Sequence, residues 1–185
     1  MPPPPPPLET RACCTWDRSS TAATCSISFR PSRPSRAHPD ASLDLVGDNR
    51  SYPFEDVAAA IAHEQLGDRI TWHRYVSNEQ LAELYSRARG FAFLSDYEGL
   101  GMTPLEALAA GVPSVLYDTD IAHESCGGAA LYARRGVRDE VTGAIERLLF
   151  DEASRTQLLA AAPATLAKFN WPRAARETLR VLEQC

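Results

Sequence analysis

From Ser42 onward, short apolar stretches alternate with stretches of helical periodicity, and few folds accommodate that alternation. Leu43 to Gly47 reads as a short buried strand ending in a glycine turn, and Pro53 to Leu66 as a helix closed by Gly67. Arg69 to Trp72 reads as a strand. Ser77 opens a helix with Gln80 three residues on, a capping-box spacing, and Leu81, Leu84, Tyr85 and Ala88 mark one apolar face. Phe91 to Leu94 is a continuous apolar run, the pattern of a strand buried on both sides. A helix from Thr103 to Gly111 follows, then strands within Val112–Asp118 and Ala130–Ala133. Helical stretches from Arg138 to Phe150, Glu152 to Ala162 and Trp171 to Glu183 finish the chain, the last behind an Asn170 cap. Strands alternating with helices build βαβ units on a parallel sheet. The pattern therefore predicts an α/β fold: a Rossmann-like parallel sheet flanked by helices, with a helical C-terminal tail.

Residues 1–36 read differently. Six prolines follow Met1, nine of the chain's 14 prolines precede Ser42, and no stretch sustains a strand or helix period. A proline tract favours extended, solvated polyproline II backbone. This segment is expected to be a disordered head, or one belonging to a mis-set reading frame, with the folded domain running over 37–185. Its start has neither the basic region nor the apolar core of a secretory signal.

At 185 residues and 44% hydrophobic content the chain suffices for one self-supporting core. It has no apolar run of membrane-spanning length. The net charge of −5 opposes general nucleic-acid binding, which needs a dense basic face. Five cysteines without C-x-x-C spacing support neither a disulfide framework nor a zinc site, so a reducing cytoplasmic setting is expected. Lys168 is the one lysine, so chemistry needing a lysine has a single candidate.

The segment that carries chemistry is Ser95-Asp-Tyr-Glu-Gly-Leu-Gly-Met-Thr-Pro-Leu-Glu106, leading from the Phe91–Leu94 strand into a helix. In open parallel sheets, ligands bind beyond the carboxyl ends of the strands. Gly99 and Gly101 let the backbone approach a ligand closely. The N–H groups of Met102, Thr103 and Leu105 at the helix start suit a phosphate, with Pro104 placed as the first helical residue. A plainer reading stands beside this one: Thr103 and Glu106 have capping-box spacing, and the glycines could simply make a loop. Glu98 is harder to explain structurally, because a carboxylate beside a phosphate site needs its own partner. A sugar diol is such a partner, since an ionised carboxylate accepts two hydrogen bonds. The same reasoning at Glu106 suggests a ribose diol. Two carboxylates flanking a phosphate-binding helix start point to a nucleotide-sugar.

Glu98-Gly-Leu-Gly-Met-Thr-Pro-Leu-Glu106-Ala-Leu-Ala-Ala-Gly-Val-Pro113 resembles the donor-binding signature of retaining GT-B glycosyltransferases, family 4-like ("glycosyl transferases group 1"). Leu45-Val-Gly47, Ile70 to Val76, Leu81 to Ala88, the Glu124 to Ala130 loop and Phe169-Asn-Trp171 fall where that family's C-terminal domain has them. The resemblance covers roughly Arg36 to Cys185. It implies that Glu98, the catalytic-site carboxylate, meets hydroxyls of the transferred sugar. The backbone of Gly99, Leu100, Gly101, Met102 and Thr103 would take sugar and diphosphate, Glu106 the ribose, and Tyr75 and Val76 the base through main-chain groups. No metal and no cofactor is implied beyond the nucleotide-sugar donor. The acceptor would be a saccharide or a lipid-linked molecule. The setting would be cytoplasmic, or peripheral at the inner membrane face. His123 and Glu124 read as surface or loop residues, as do Asp48, Asn49 and Arg50.

The same resemblance implies a second, N-terminal acceptor domain for which the chain has no room. Family members also carry an Arg and a Lys after their first strand, where this chain has its proline-rich head with Arg30, Arg33 and Arg36. The isolated half is therefore expected to be inactive. It would associate with the missing domain or with itself, or act as a non-catalytic nucleotide-sugar-binding module beside a partner subunit.

Overall fold

The computed structural model describes residues 11–15 (backbone only), 41–49, 56–63, 69–95 and 97–184. Six strands form one parallel sheet: β1 Arg11–Thr15, β2 Ser42–Val46, β3 Ile70–His73, β4 Gly90–Phe93, β5 Ser114–Tyr117 and β6 Ala130–Ala133. Their order is β3-β2-β1-β4-β5-β6, every neighbouring pair parallel. The order runs outward from β1 in one direction and from β4 in the other. The sheet therefore reverses between these two strands, which is where doubly wound folds open a ligand crevice.

The helices are α1 Val57–His63, α2 Asn78–Arg87, α3 Met102–Ala109, α4 Asp120–Cys126, α5 Arg138–Phe150, α6 Glu152–Leu166 and α7 Trp171–Leu182. One face of the sheet packs Leu43, Leu45, Ala92 and Val115 against Val57 of α1 and Ile145, Leu148 and Leu149 of α5. The other packs Val46, Phe91, Phe93 and Leu116 against Leu84 and Tyr85 of α2, Leu105 of α3 and Cys126 of α4. Strand β4 is buried throughout because both faces are covered, as its apolar run predicts. Gly90 at its start is enforced by packing: a Cβ there would lie 2.5 Å from Leu148 Cδ2.

The structure corrects the sequence reading in three places. The expected head is not wholly outside the fold, because Arg11–Thr15 forms β1, paired with β2 on one side and β4 on the other. Five residues without strand periodicity are held by ladders on both edges, a case of tertiary context overriding local propensity. The expectations for 1–10 and 16–36 lie outside the described residues, as do both ends of the helix expected over 53–66. Second, the loop expected over Glu124 to Ala130 begins inside α4, which runs to Cys126 behind a Thr119 N-cap. Third, Thr103 and Glu106 form no capping box. Helix α3 begins two residues earlier than a Thr103 cap implies, at Met102, so Pro104 is its third residue rather than its first.

The other expected helix starts agree with the structure. The Ser77 hydroxyl accepts from Gln80 N–H while the Gln80 side chain accepts from Ser77 N–H, and Asn170 caps α7. Helix α7 has no buried residue, and Trp171 at its start is 83% exposed. Among the described residues no helix is long and apolar enough to cross a membrane.

Candidate donor-binding site

The chain leaves β4 at the point of sheet reversal and crosses residues 94–101 before entering α3. Ser95 Oγ donates to the Tyr97 carbonyl at 3.1 Å, folding the loop back over the strand end. Gly101, buried, is the N-cap of α3, with φ 72° and ψ 50°, and no side chain caps this helix. Only glycine adopts that left-handed conformation without strain. Its consequence is chemical. An α-helix leaves its first N–H groups without intrahelical partners, and here these include those of Met102 and Thr103, at the positive end of the helix dipole. Leu105, grouped with them in the sequence reading, falls one residue too late, where the ladder uses the N–H.

Beside this helix start opens a small crevice. One wall is the expected segment: Phe93, Ser95, Glu98, Gly101 and Pro104. Oε1 of Glu98 is turned inward and screened from solvent. The other wall went unseen in the sequence because it belongs to the end of β5 and to α4: Leu116, Tyr117, Thr119, Ile121, Ala122, Ser125 and Cys126. The sequence signal available was Thr119 followed by Asp120, a helix-opening pair. Ser125 lies directly beneath the turn: a Cβ on Gly101 would come 3.5 Å from its Oγ. Burial pushes the Cys126 thiol up to about 11 despite the opposing charge of Lys168, so it is neutral and unreactive at neutral pH. Lys168 instead reaches the Glu124 carbonyl at the end of α4, at 3.5 Å.

The remaining expected residues lie around this crevice rather than in it. Gly99, Leu100, Met102 and Glu106 are exposed, and Thr103 is half-buried. Glu106 sits in the body of α3, released from any capping duty. Tyr75, 79% exposed, and Val76, half-buried, follow β3 on the same carboxyl-end edge of the sheet. That edge is tied down locally: Trp72 Nε1 donates to the Gly47 carbonyl at 2.9 Å, Gly47 N–H donates to His73 at 2.9 Å, and Arg74 lies 4.8 Å from the Trp72 ring. His123 and Glu124 are exposed, as expected, but on a helix. His123 pairs with Asp118 at 2.7 Å and stacks on Tyr132 at 3.8 Å, away from the crevice wall. Asp48 is a turn residue whose carboxylate accepts from Asn49 N–H, and Arg50, Arg30, Arg33 and Arg36 lie outside the described residues.

A doubly wound sheet, a glycine-entered helix start at its reversal point and a carboxylate in the adjoining crevice define a ligand-binding domain of the nucleotide-binding α/β class. The chain belongs to the family described as Glycosyl transferases group 1, which matches residues 31–165. It is 34% identical over 118 residues to the O-antigen chain mannosyltransferase B of Escherichia coli, covering 62% of this chain and 31% of that one. It is likewise 34% identical over 80 residues to the GDP-mannose:cellobiosyl-diphosphopolyprenol alpha-mannosyltransferase of Xanthomonas oryzae pv. oryzae, covering 43% and 21%. Among solved structures it resembles sucrose-phosphate synthase from Thermosynechococcus elongatus, with a TM-score of 0.70 at 23% identity, covering 96% of this chain and 46% of that one. The chain thus spans about a third or less of these curated relatives.

Proposed function

We propose that this chain is the donor-binding half of a glycosyltransferase that moves a sugar from a nucleoside-diphosphate sugar to an acceptor hydroxyl with retention at the anomeric carbon. Glu98 accepts hydrogen bonds from the transferred sugar. The backbone of Gly99 to Thr103 takes sugar and diphosphate. Glu106 takes the ribose diol, and the main chain at Tyr75 and Val76 meets the base. The observation that carries the reading is the start of α3: a left-handed glycine replaces a side-chain cap and leaves main-chain donors open beside a carboxylate-bearing crevice. Such fixed donors stabilise the charge on a departing diphosphate, and the reading assigns the step no metal. Family membership and the names of the relatives favour a hexosyl, and among hexosyls a mannosyl, group.

The acceptor, a saccharide or lipid-linked molecule, would meet a second domain, and the isolated half would not turn over. The proposed setting is the cytoplasm or its membrane face. A second reading is a non-catalytic nucleotide-sugar-binding module working with a partner subunit. The test is a thermal-shift screen against GDP-mannose, UDP- and ADP-sugars and the bare diphosphates, because a ligand of the folded state raises the melting temperature. Stabilisation by one donor above its diphosphate supports both readings, and no shift with any of them rejects both. Donor hydrolysis or transfer by the purified chain then excludes the purely binding one.

A further inference from the structure

We infer that Lys168 is a ligand-binding residue of this site, and that its ammonium turns from the last turn of α4 to the diphosphate held at the start of α3. The inference rests on the donor-binding reading and adds to it a cation that the crevice walls lack. Among the described residues lining the crevice none is basic. The start of α3 offers main-chain N–H groups and about half a positive charge, less than a diphosphate carries in negative charge. Lys168, the chain's one lysine, stands next to that deficit. Its ammonium lies 3.5 Å from the Glu124 carbonyl, and a Cβ on Gly127 would come 3.7 Å from it, so it sits over the last turn of α4. The same turn carries Ser125, which lies beneath Gly101 at the entry to α3, and Cys126, which lines the crevice. The charge of Lys168 is felt at the Cys126 thiol, where it opposes the effect of burial.

The two ends of this residue are held unequally. Its N–H donates to the Thr165 carbonyl at 3.2 Å and its carbonyl accepts from the Arg173 guanidinium, so the main chain is fixed. The side chain is exposed, and its one polar contact among the described residues is the long bond to a neutral carbonyl. A flexible lysine stem carries such a tip readily to a stronger partner, and a phosphate oxygen is one. A cation at the carbonyl end of α4 also stabilises that helix, a purely structural role that predicts a lower melting temperature on its loss and unchanged ligand affinity.

The test uses the full chain with guanosine, uridine and adenosine, each as nucleoside, monophosphate and diphosphate. Because Lys168 is the only lysine, reductive methylation with isotope-labelled formaldehyde marks its ammonium and the N-terminal amine alone, and keeps the charge. With the diphosphate that binds, the Lys168 methyl signal in the NMR spectrum should shift, and with the matching nucleoside it should stay in place. An unmoved signal at saturating diphosphate overturns the inference. By titration calorimetry, Lys168→Gln should weaken the diphosphate about fivefold or more, the monophosphate less, and the nucleoside by no more than about twofold. The variant should also lose less affinity on addition of salt than wild type does. Lys168→Arg, which keeps the charge, should hold the diphosphate within about threefold of wild type. A Lys168→Gln variant that melts lower yet binds diphosphate as wild type does assigns the lysine to α4 alone and overturns the inference, as does an equal loss of all three ligands. The methylated wild type decides the matter should Lys168→Gln not fold. Wild type that binds no diphosphate is a different result, one that rejects the donor site itself.

Discussion

Helices α2 and α3 open with the same sequence spacing and end up as opposites. Ser77 and Gln80 exchange side-chain and main-chain hydrogen bonds, so two of the donors at the N-terminus of α2 are satisfied locally. Thr103 and Glu106 stand in the same relation in sequence, yet α3 has already begun at Met102 behind a left-handed Gly101. Neither side chain then caps anything. The difference lies in what precedes the motif. Val76 before Ser77 packs into the core, and Ser77 takes the extended conformation of a conventional N-cap. Two glycines and Ser125 beneath the chain let α3 turn in two residues sooner. A capped helix start commits two of its donors to its own side chains, whereas α3, with no side-chain cap, commits none and keeps a carboxylate one turn along out of capping.

The sharpest way to break the contrast is at Gly101. Valine there must adopt φ 72°, a conformation costing about 1–3 kcal/mol for a branched side chain, and its Cβ would abut Ser125. We expect Gly101→Val to lose about tenfold or more in nucleoside-diphosphate affinity, measured by titration calorimetry, along with a lowered melting temperature. Affinity equal to wild type in a folded variant would show that the turn does not aim the donors.

The carboxylates follow. Glu98→Ala should cost about 1–3 kcal/mol of binding to a nucleotide-sugar while leaving the bare diphosphate unchanged. Glu106→Ala should weaken both ligands by a similar amount, because both carry the ribose. Unimpaired diphosphate binding by Glu106→Ala would remove its ribose role. Since Glu106 is exposed and caps nothing, that variant should keep its melting temperature.

Much of this arrangement is legible in sequence, and the illegible parts have physical reasons. β4 and β5 are readable because burial on two faces demands uninterrupted apolar runs. Asn170 is readable because its cap is local. β1 is not, because Arg-Ala-Cys-Cys-Thr has no strand pattern of its own and gains its conformation from neighbours far along the chain. α4 is seven residues long, so its period is too brief to register. With α4 goes the second wall of the crevice. Glu98 could be singled out because a carboxylate beside a phosphate site is an electrostatic anomaly. Thr119, Ile121 and Ser125 carry no such anomaly and become visible only in three dimensions.

Ser77→Ala measures the self-satisfied side of the contrast. Loss of a side-chain cap costs about 1 kcal/mol, so urea unfolding should show a lowered midpoint while nucleotide affinity stays put. Ligand binding that fell in step with stability would mean that α2 and the donor site are coupled, and the two helix starts could not be treated as separate designs.

The smallest expected effect is the most discriminating. Were Thr103 a capping-box residue, Thr103→Ala would cost about 1 kcal/mol, as at Ser77. As the second residue of α3 its hydroxyl holds no cap, and alanine is a better helix former than threonine, so unfolding stability should stay within about 0.5 kcal/mol of wild type. Diphosphate affinity should also survive, because the group offered to the ligand is the main-chain N–H, which alanine retains. Thr103→Pro removes that N–H while keeping a backbone compatible with the first turn. It should therefore lose affinity at little cost in stability, and a Thr103→Ala variant that instead unfolds like Ser77→Ala would place α3 among the side-chain-capped helices.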